Sequence, residues 1–556
     1  MREIAYKHAL RNAVEHGGAE EKAVLGKVLA ELPELRKKVP EVLPVVREVV
    51  AEVNRLSPGE REEGLKRFTF VEQRKEERRG LLELQDAGKV VLRFAPNPSG
   101  PLHLGHCRAA ILNDEYASRY NGKLILRLED TDPARVDPRA YGMIEEDLAW
   151  LGVAIHETIV QSERLDIYYE HARRLVEMGK AYVCTCPSEE FQRLRVARKV
   201  CPCRALTREE NLGRYEKMFA DYRPGEAALR LRTSLDLPDP SMRDFPILRI
   251  TDEPHPRVKG RRVYPLMNFS VAVDDHLLGL THVLRGKDHI ANTRKQGFVY
   301  QYFGWAMPRF IHYGLMKIEG LELSTSGMAR GIKEGLYEGW DDARLGTLRA
   351  MRRRGIQPGA IRKVMIDVGT KESDISFSWK NLYAYNKEFV EPMADRYFFV
   401  QEPQELLVEG CRGMEVHAPL HPDHKERGKR SLSIKARDSH CIVHVSKQDL
   451  DMLRVGDVVR LMEAFNIELL EKGPSAKAKV HSQGLEEARR LRARLIHWVP
   501  EDHVRVRVVG PEGVSEGYGE EGLRGVAQDS MIQFERFGFV RVDSKGEELV
   551  VYFAHR

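Results

Sequence analysis

The chain has 556 residues, 42% of them hydrophobic and 31% charged, with 89 Lys and Arg against 84 Asp and Glu. This is too long for one hydrophobic core, so three to five domains are expected. No window approaches membrane-spanning length, and Met1-Arg2-Glu3-Ile4 does not open a signal-peptide apolar core, so a protein of the cytoplasm with no membrane partner is the expectation.

Residues 1–86 read as helical and highly charged. Leu25, Val28, Leu29 and Leu32 recur at helical spacing, as do Val45, Val46, Val49 and Val50. The stretch Val71 to Gly80 has few apolar anchors, and the whole region reads as a solvated helical appendage. Next come a strand (Lys89 to Phe94), a Pro/Gly-rich turn with His103 and His106, a helical pattern (Ala109 to Tyr120) stopped by Asn121-Gly122, and a second strand (Lys123 to Leu128). A parallel sheet needs such a crossover and gathers ligands at the carboxyl ends of its strands. The turn and the acidic run Glu129-Asp130-Thr131-Asp132 both fall at such ends, so one pocket can receive both.

Helical patterns follow at Tyr141 to Leu151 and Glu163 to Met178, then a cysteine-bearing insert. Sheet-like apolar runs return at Val263 to Val273 and Leu280 to Leu284, and an amphipathic helical region spans about 334–385. Beyond about 400 the period becomes two, as in His503 to Val509, and the chain closes on a hairpin turning at Asp543-Ser544-Lys545-Gly546. Short strands spaced by Gly and Asp predict one or two β-barrels.

Three groups of residues carry chemistry. His103 and His106 share the face of a first helical turn, where free backbone N–H groups and the helix dipole suit a polyphosphate; Gly105 lets a ligand approach closely. By itself such a pair is often two surface histidines. Four cysteines, Cys184, Cys186, Cys201 and Cys203, form two close pairs that satisfy tetrahedral Zn²⁺ with no open position, so the metal would be structural; redox cysteines are the alternative. The odd total of seven cysteines argues against a disulfide framework. Asp274, Asp275 and His276 suit either a metal or, more plainly, the polar end of a buried strand.

The block from Arg93 to His106 resembles the HIGH motif of class I aminoacyl-tRNA synthetases, and its upstream half, Ala95-Pro96-Asn97-Pro98-Ser99, resembles the glutamyl group. The strand end Leu128-Glu129-Asp130-Thr131-Asp132 is similar to that group as well. Glutaminyl enzymes instead carry a Pro-Pro-Glu-Pro-Asn loop and an Arg-Phe-Asp-Asp-Thr strand end. The period-two C-terminal region resembles the archaeal type, whereas bacterial glutamyl enzymes end in a helical cage.

The resemblance implies a multidomain α/β fold with a Rossmann-like parallel-sheet catalytic domain, an inserted acceptor-binding domain, a helical subdomain and C-terminal β-barrels. Its expected boundaries are a helical appendage over 1–86, the catalytic halves over 87–181 and 256–330, the insertion with its zinc knuckle over 182–255, a helical stem-contact part over 331–395, and an anticodon-binding region over 396–556. It implies a monomer that uses ATP with Mg²⁺ to make L-glutamyl-adenylate. The glutamyl group then passes to the glutamate tRNA alone or to the glutamine tRNA as well. His103, Gly105 and His106 would face the phosphates with Ser324, Thr325 and Ser326, which lie where the family carries its KMSKS loop. Arg93, Ala95, Glu129 and Arg285 would meet the amino acid: the glutamate against its ammonium group, the arginines against its carboxylates.

Two departures stand out. Glu322 and Thr325 replace the two lysines of the KMSKS pattern, leaving Lys317, Arg330 or Lys333 to supply charge. Met267 stands where several members place a tyrosine, with Tyr264 and Asn268 as weaker substitutes. The rival readings are a glutaminyl enzyme, a tRNA-binding paralogue without activation, and a small-molecule nucleotidyltransferase, the last opposed by the long β-rich C-terminal region.

Overall fold

The computed structural model describes residues 1–32, 35, 38–68, 81–473 and 475–556. The charged stretch Val71 to Gly80 lies outside the described residues. The described residues up to Phe68 and those from Leu81 onward form two compact units.

The first unit holds α1 (Arg2–His16), α2 (Glu21–Glu31), α3 (Val39–Arg55) and α4 (Pro58–Leu65). Val42, Val46, Val49, Val50 and Val53 line the buried face of α3, at the 3.6-residue spacing that makes one stripe. Each such burial is worth about 1.5–3 kcal/mol relative to exposure, which offsets the poor helix propensity of valine. A capping box, Ser57 with Glu60, starts α4.

The second unit begins with the parallel strands β1 (Val91–Phe94), β2 (Lys123–Leu128) and β3 (Glu157–Val160), in spatial order β1-β2-β3. Helices α5 (Leu104–Arg119) and α6 (Ala140–Trp150) make the crossovers. The turn out of α5 needs its two residues. Asn121 takes a left-handed φ of 47°, and a Cβ on Gly122 would lie 2.5 Å from the carbonyl oxygen of Val90, just before β1.

Then come α7 (Leu165–Glu177) and an antiparallel four-stranded insertion: β4 (Ala181–Cys184), β5 (Ala228–Leu231), β6 (Pro246–Ile250) and β7 (Val263–Pro265), with α8 (Ser188–Val196) and α9 (Arg208–Ala220) between β4 and β5. The chain returns through α10 (Met267–Leu277) to the parallel pair β8 (His282–Gly286) and β9 (Arg309–Tyr313), with α11 (Ile290–Phe303) between them. Thr281 exchanges hydrogen bonds with Val91, which sets β8 beside β1. The spatial order is thus β3-β2-β1-β8-β9, and it reverses between β1 and β8.

Two expectations fail here. Val263 to Val273 is not a strand: β7 ends at Pro265 and α10 takes over. Phe269 through Asp275 are all buried, so the run shows neither period, and burial on every side hides a helix from sequence. The helical region expected over 334–385 is interrupted. α12 (Thr325–Lys333) precedes it, 334–347 is turns, and α13 (Leu348–Arg353), α14 (Pro358–Val368) and α15 (Trp379–Val390) follow. Ser324, Thr347 and Ser378 cap α12, α13 and α15 through their side chains.

The C-terminal third forms two large sheets whose end strands are brought near each other by continuous chain, in a barrel-like arrangement. One runs Asp395–Tyr397, Met531–Phe534, Gly538–Lys545, Glu548–His555, His503–Gly510, Gly513–Glu520, Phe399–Gln401; its two edge strands are joined by Phe398 alone. In the other, Arg494–Ile496 pairs at one end, and Trp498–Pro500, one residue on, pairs with His440–Ser446 near the opposite end. Bringing the ends together shields strand edges. Against expectation, two cysteines pair: Cys411 and Cys441 form a disulfide with Cα atoms 5.8 Å apart. Thirty residues of sequence separate them, and strand pairing of Glu409 with His440 brings them together. One apolar core runs from Leu104 and Ile111 of α5 through Met351, Ile361 and Leu382 to Met531, Phe539 and Ala554 of the first barrel.

Candidate active site

A cavity of about 260 Å³ opens at the carboxyl ends of β1 and β8, where the strand order reverses. Arg93, Ala95, His106, Glu129, Met267 and Arg285 contribute to its wall. A wider cleft of about 890 Å³ lies along β9, between Leu82–Gln85 and Thr370–Glu372, and no histidine-turn residue lines it.

His103 is the N-cap of α5 and His106 its third residue. His103 Nδ1 accepts from the Gly105 N–H at 3.1 Å, and His106 Nδ1 accepts from the His103 N–H at 3.3 Å. With both Nδ1 atoms accepting, each neutral ring carries its proton on Nε2, so the pair presents two N–H donors beside a helix start. The rings lie against each other, tilted by 30°, with centroids 3.8 Å apart. Burial pushes the pKa of His103 down to about 4, and burial with the proximity of His103 takes His106 to about 3. Both are therefore neutral donors at pH 7. Gly105 has a further reason to lack a side chain: a Cβ there would lie 2.8 Å from the imidazole of His103.

The acid and base side chains form one buried chain. Arg127, fully buried, donates to Asp275 at 2.5 Å and to Glu129 at 2.9 Å. The Arg93 guanidinium stands 3.7 Å from the same Asp275. Arg285 donates to Thr293 and, at 2.9 Å, to Gln296, and it covers the ring of Phe310. Burial first, then Arg93, pushes Arg285 down to about 10, so it stays charged at pH 7. Buried polar atoms without a partner cluster here: Arg93 Nε, Arg285 Nε and Asp275 Oδ2. Unsatisfied buried groups are costly, and the two of them that line the cavity, on Arg93 and Arg285, mark where an acceptor ligand completes the set.

The remaining expected residues separate. Asn268 reaches Gln296 and Asn292 and belongs to the hydrogen-bond shell behind Arg285. Tyr264 does not line the cavity. It is fully buried in the core of the insertion, and its hydroxyl donates to the Arg261 carbonyl. Asp130 turns away, accepting from Tyr141 and Ser162. Asp274 and Asp275 share no ligand: Asp274 accepts from Gln161, Arg164 and Tyr168 on the other side of α10, and His276 stacks on Trp305. Sequence reasoning missed Arg127 and Gln296, and it read Asp275 as part of a metal group or a strand end where the structure makes it a helix residue that accepts from Arg127. A charged residue inside an apolar strand, as Arg127 is, was the available signal.

Ser324 caps α12, accepting from the Gly327 N–H at 3.1 Å and lying 3.2 Å from the Ser326 hydroxyl. Thr325 packs on Gly100 of the histidine turn, where a Cβ would lie 2.7 Å from its methyl. Glu322, in place of a lysine, accepts from the Ser324 N–H at 2.7 Å and so orders the loop's backbone. Lys317 is paired with Glu319.

Cys184, Cys186, Cys201 and Cys203 bring their ligand atoms within 4.8 Å of one another. Sulfur atoms of Cys184 and Cys186 lie 3.6 and 3.2 Å from Cys201, and Cys186 lies 3.8 Å from Cys203. Tetrahedral Zn–S bonds of ~2.3 Å put sulfurs about 3.8 Å apart, so this donor set fits Zn²⁺. Burial alone would raise Cys203, but the Thr185 N–H and hydroxyl and Arg214 bring it down to about 6. The knuckle has a small core of its own, Tyr182 and Phe191 with the cysteines. Among the described residues this is the one cluster of metal-ligating side chains.

Two outcomes follow. In a histidine NMR titration, His103 and His106 should stay neutral from pH 8 to 5; titration of either near 6.5 contradicts the buried, Nε2-protonated arrangement. Intact-mass measurement under native conditions should find one zinc per chain. Cys186→Ser should lose it and expose 182–206 to protease, whereas full zinc retention by that variant contradicts the site.

Comparison with known proteins agrees with this geometry. Residues 89–392 match the family model for tRNA synthetases class I (E and Q), catalytic domain, and residues 394–483 and 495–543 match two models for the anti-codon binding domain of the same group. The chain is 52% identical to a glutamate–tRNA ligase of Methanocaldococcus jannaschii, 50% to one of Methanothermobacter marburgensis and 48% to one of Pyrococcus furiosus, each over the full length of both chains. With its parallel sheet, histidine turn and paired barrels, the chain belongs to the class I tRNA synthetases of the E and Q group.

Proposed function

We propose that this chain is a glutamate–tRNA ligase: it activates L-glutamate with ATP and transfers the glutamyl group to the 3′ end of the glutamate tRNA. The observation that carries the choice of amino acid is the charge of the cavity. Its wall carries Arg93 and Arg285 against one carboxylate, Glu129, an excess of one positive charge (2 − 1 = 1), while behind the wall Arg127 and Asp275 neutralise each other. Glutamate at neutral pH carries a net single negative charge and glutamine none. A buried guanidinium with an unpaired Nε suits a carboxylate better than an amide.

ATP sits with its phosphates at the start of α5. The glutamate α-carboxylate attacks the α-phosphate, a P–O bond forms as the bond to pyrophosphate breaks, and the Nε2–H groups of His103 and His106 donate to oxygens that gain charge. Ser324, Thr325 and Ser326 close over the phosphates. Mg²⁺ bound to ATP supplies further neutralisation. Glu129, held by Arg127, receives the ammonium group. A terminal ribose hydroxyl of the tRNA then attacks the glutamyl carbonyl and AMP leaves. No side chain acts as nucleophile, so rate comes from positioning and preorganised donors; positioning alone is worth up to about 7–11 kcal/mol. The insertion carries Arg230 over Phe191 and Arg232 over Tyr182 of the knuckle core, cations that would suit it to grip the acceptor end, while the barrels would hold the anticodon.

ATP–pyrophosphate exchange tests this. Exchange should depend on glutamate, fail with glutamine and require tRNA. Silence with tRNA present favours an RNA-binding paralogue, and glutamine-driven exchange a glutaminyl enzyme. Arg285→Ala should lower kcat/KM for glutamate by about 30-fold or more, the cost of removing one partner of a buried charged contact. Charging transcripts of the glutamate and glutamine tRNAs side by side sets the acceptor range.

A further inference from the structure

The histidine turn is poor in backbone donors. Pro96, Pro98 and Pro101 have no N–H, so Leu102 offers the last main-chain donor before His103. That N–H donates to Asp147 Oδ2 at 2.8 Å, in the second half of α6. Just ahead of the same helix, the Asp137 N–H donates to Pro98 O at 2.9 Å. The turn is therefore held at both ends by α6 and the residues leading into it. Leu102 O accepts from the Leu348 N–H at 2.9 Å, so the residue next to His103 is fixed at both of its polar main-chain atoms. Further main-chain bonds join Pro96 O to the Glu129 N–H and the Leu104 N–H to Gly346 O, each at 3.0 Å. Among the described residues, Asp147 is the one ionisable side chain from outside the turn that holds its backbone.

An acid is a costly choice at this place. Asp147 is 5% exposed. The charged and titratable groups facing it are Glu146 on α6, Arg349 and Arg352 on α13, and Cys107 on α5. The nearest cation, Arg349 Nε, stands 3.9 Å away and makes no hydrogen bond, while the tip of that guanidinium pairs with Glu146. Burial therefore pushes Asp147 up to about 7, although the Leu102 N–H, Arg349 and Arg352 pull the other way. An asparagine would accept the same N–H without burying a charge. What the carboxylate adds is a charge-assisted bond, about twice as strong as a neutral one. The bond is spent on the peptide that carries His103, whose carbonyl in turn accepts from the His106 N–H at 2.8 Å.

We propose that Asp147 is a positioning residue for the histidine pair, its carboxylate holding the Leu102 N–H so that His103 and His106 meet the phosphates. This rests on the ligase reading above. ATP–pyrophosphate exchange at saturating tRNA, followed from pH 5.5 to 8.5, tests it. In the wild-type chain kcat should fall about tenfold on the acid side, with a midpoint near 7, while KM for glutamate stays unchanged. His103 and His106 are neutral throughout that range and cannot cause the fall. Asp147→Asn, which keeps an acceptor but not the charge, should run at the acid-side rate at every pH, about tenfold slower than wild type at pH 8 and without a midpoint. Asp147→Leu, with no acceptor, should be slower still. Glu520, in the barrels, is also pushed up to about 7 by burial, and it is untouched in these variants. A midpoint that persists in Asp147→Asn therefore overturns the role. A wild-type kcat that is flat from pH 6 to 8 overturns it too, with no variant required to fold. No exchange by the wild-type chain at any pH overturns the ligase reading, and this role with it.

Discussion

Asp275 is the constraint on which the site depends. It lies on α10, buried on every side, and one of its oxygens takes the Arg127 guanidinium while Arg93 stands within 4 Å. Isolated buried charges cost several kcal/mol each, so three arginines could not converge on one cavity without buried acids to hold them. Arg127 in turn fixes Glu129. This makes the rigidity of the pocket electrostatic, and the arrangement is left one positive charge in excess, with unpaired nitrogen on Arg93 and Arg285. Those unpartnered nitrogens are the groups that the proposed glutamate substrate would complete.

The topology explains why these residues meet. The sheet reverses its strand order between β1 and β8, and the cavity lies at the carboxyl ends of those two strands. Arg93 and Ala95 come from the end of one strand, Arg285 from the end of the other, and α5 starts above both. The donors proposed to face the phosphates are then a matter of local caps. Each histidine uses Nδ1 to satisfy a backbone N–H of the helix start, and that fixes the tautomer that faces outward.

Much of this was legible in the sequence where a local pattern carries its own cause. The histidine turn, Asn121-Gly122, the strand Lys123 to Leu128 and the period-two run at His503 are short-range signals, and the structure shows them in place. What was hidden is what burial decides. Phe269 to Asp275 gave no helical stripe because every side chain in that part of α10 is buried. Arg127 looked like an ordinary strand residue, and its partner Asp275 lies 148 residues further along. Tyr264 was offered as a substrate contact on proximity in sequence to Met267; β7 ends between them and sends the tyrosine into the insertion's core. Cys411 and Cys441 were invisible as a pair because their closeness is a product of strand register.

The central claim is that Arg93 and Arg285 wait, charged and incompletely bonded, for the two carboxylate groups of one ligand, and a crystal structure with a nonhydrolysable glutamyl-adenylate mimic tests it most directly. The account predicts the glutamyl side-chain carboxylate within hydrogen-bond distance of Arg93, the α-carboxyl side of the mimic toward Arg285, its ammonium group on Glu129, and the phosphoryl oxygens facing His103 and His106. A mimic bound with its side chain away from Arg93, or seated in the cleft along β9 with the cavity unchanged, would contradict it.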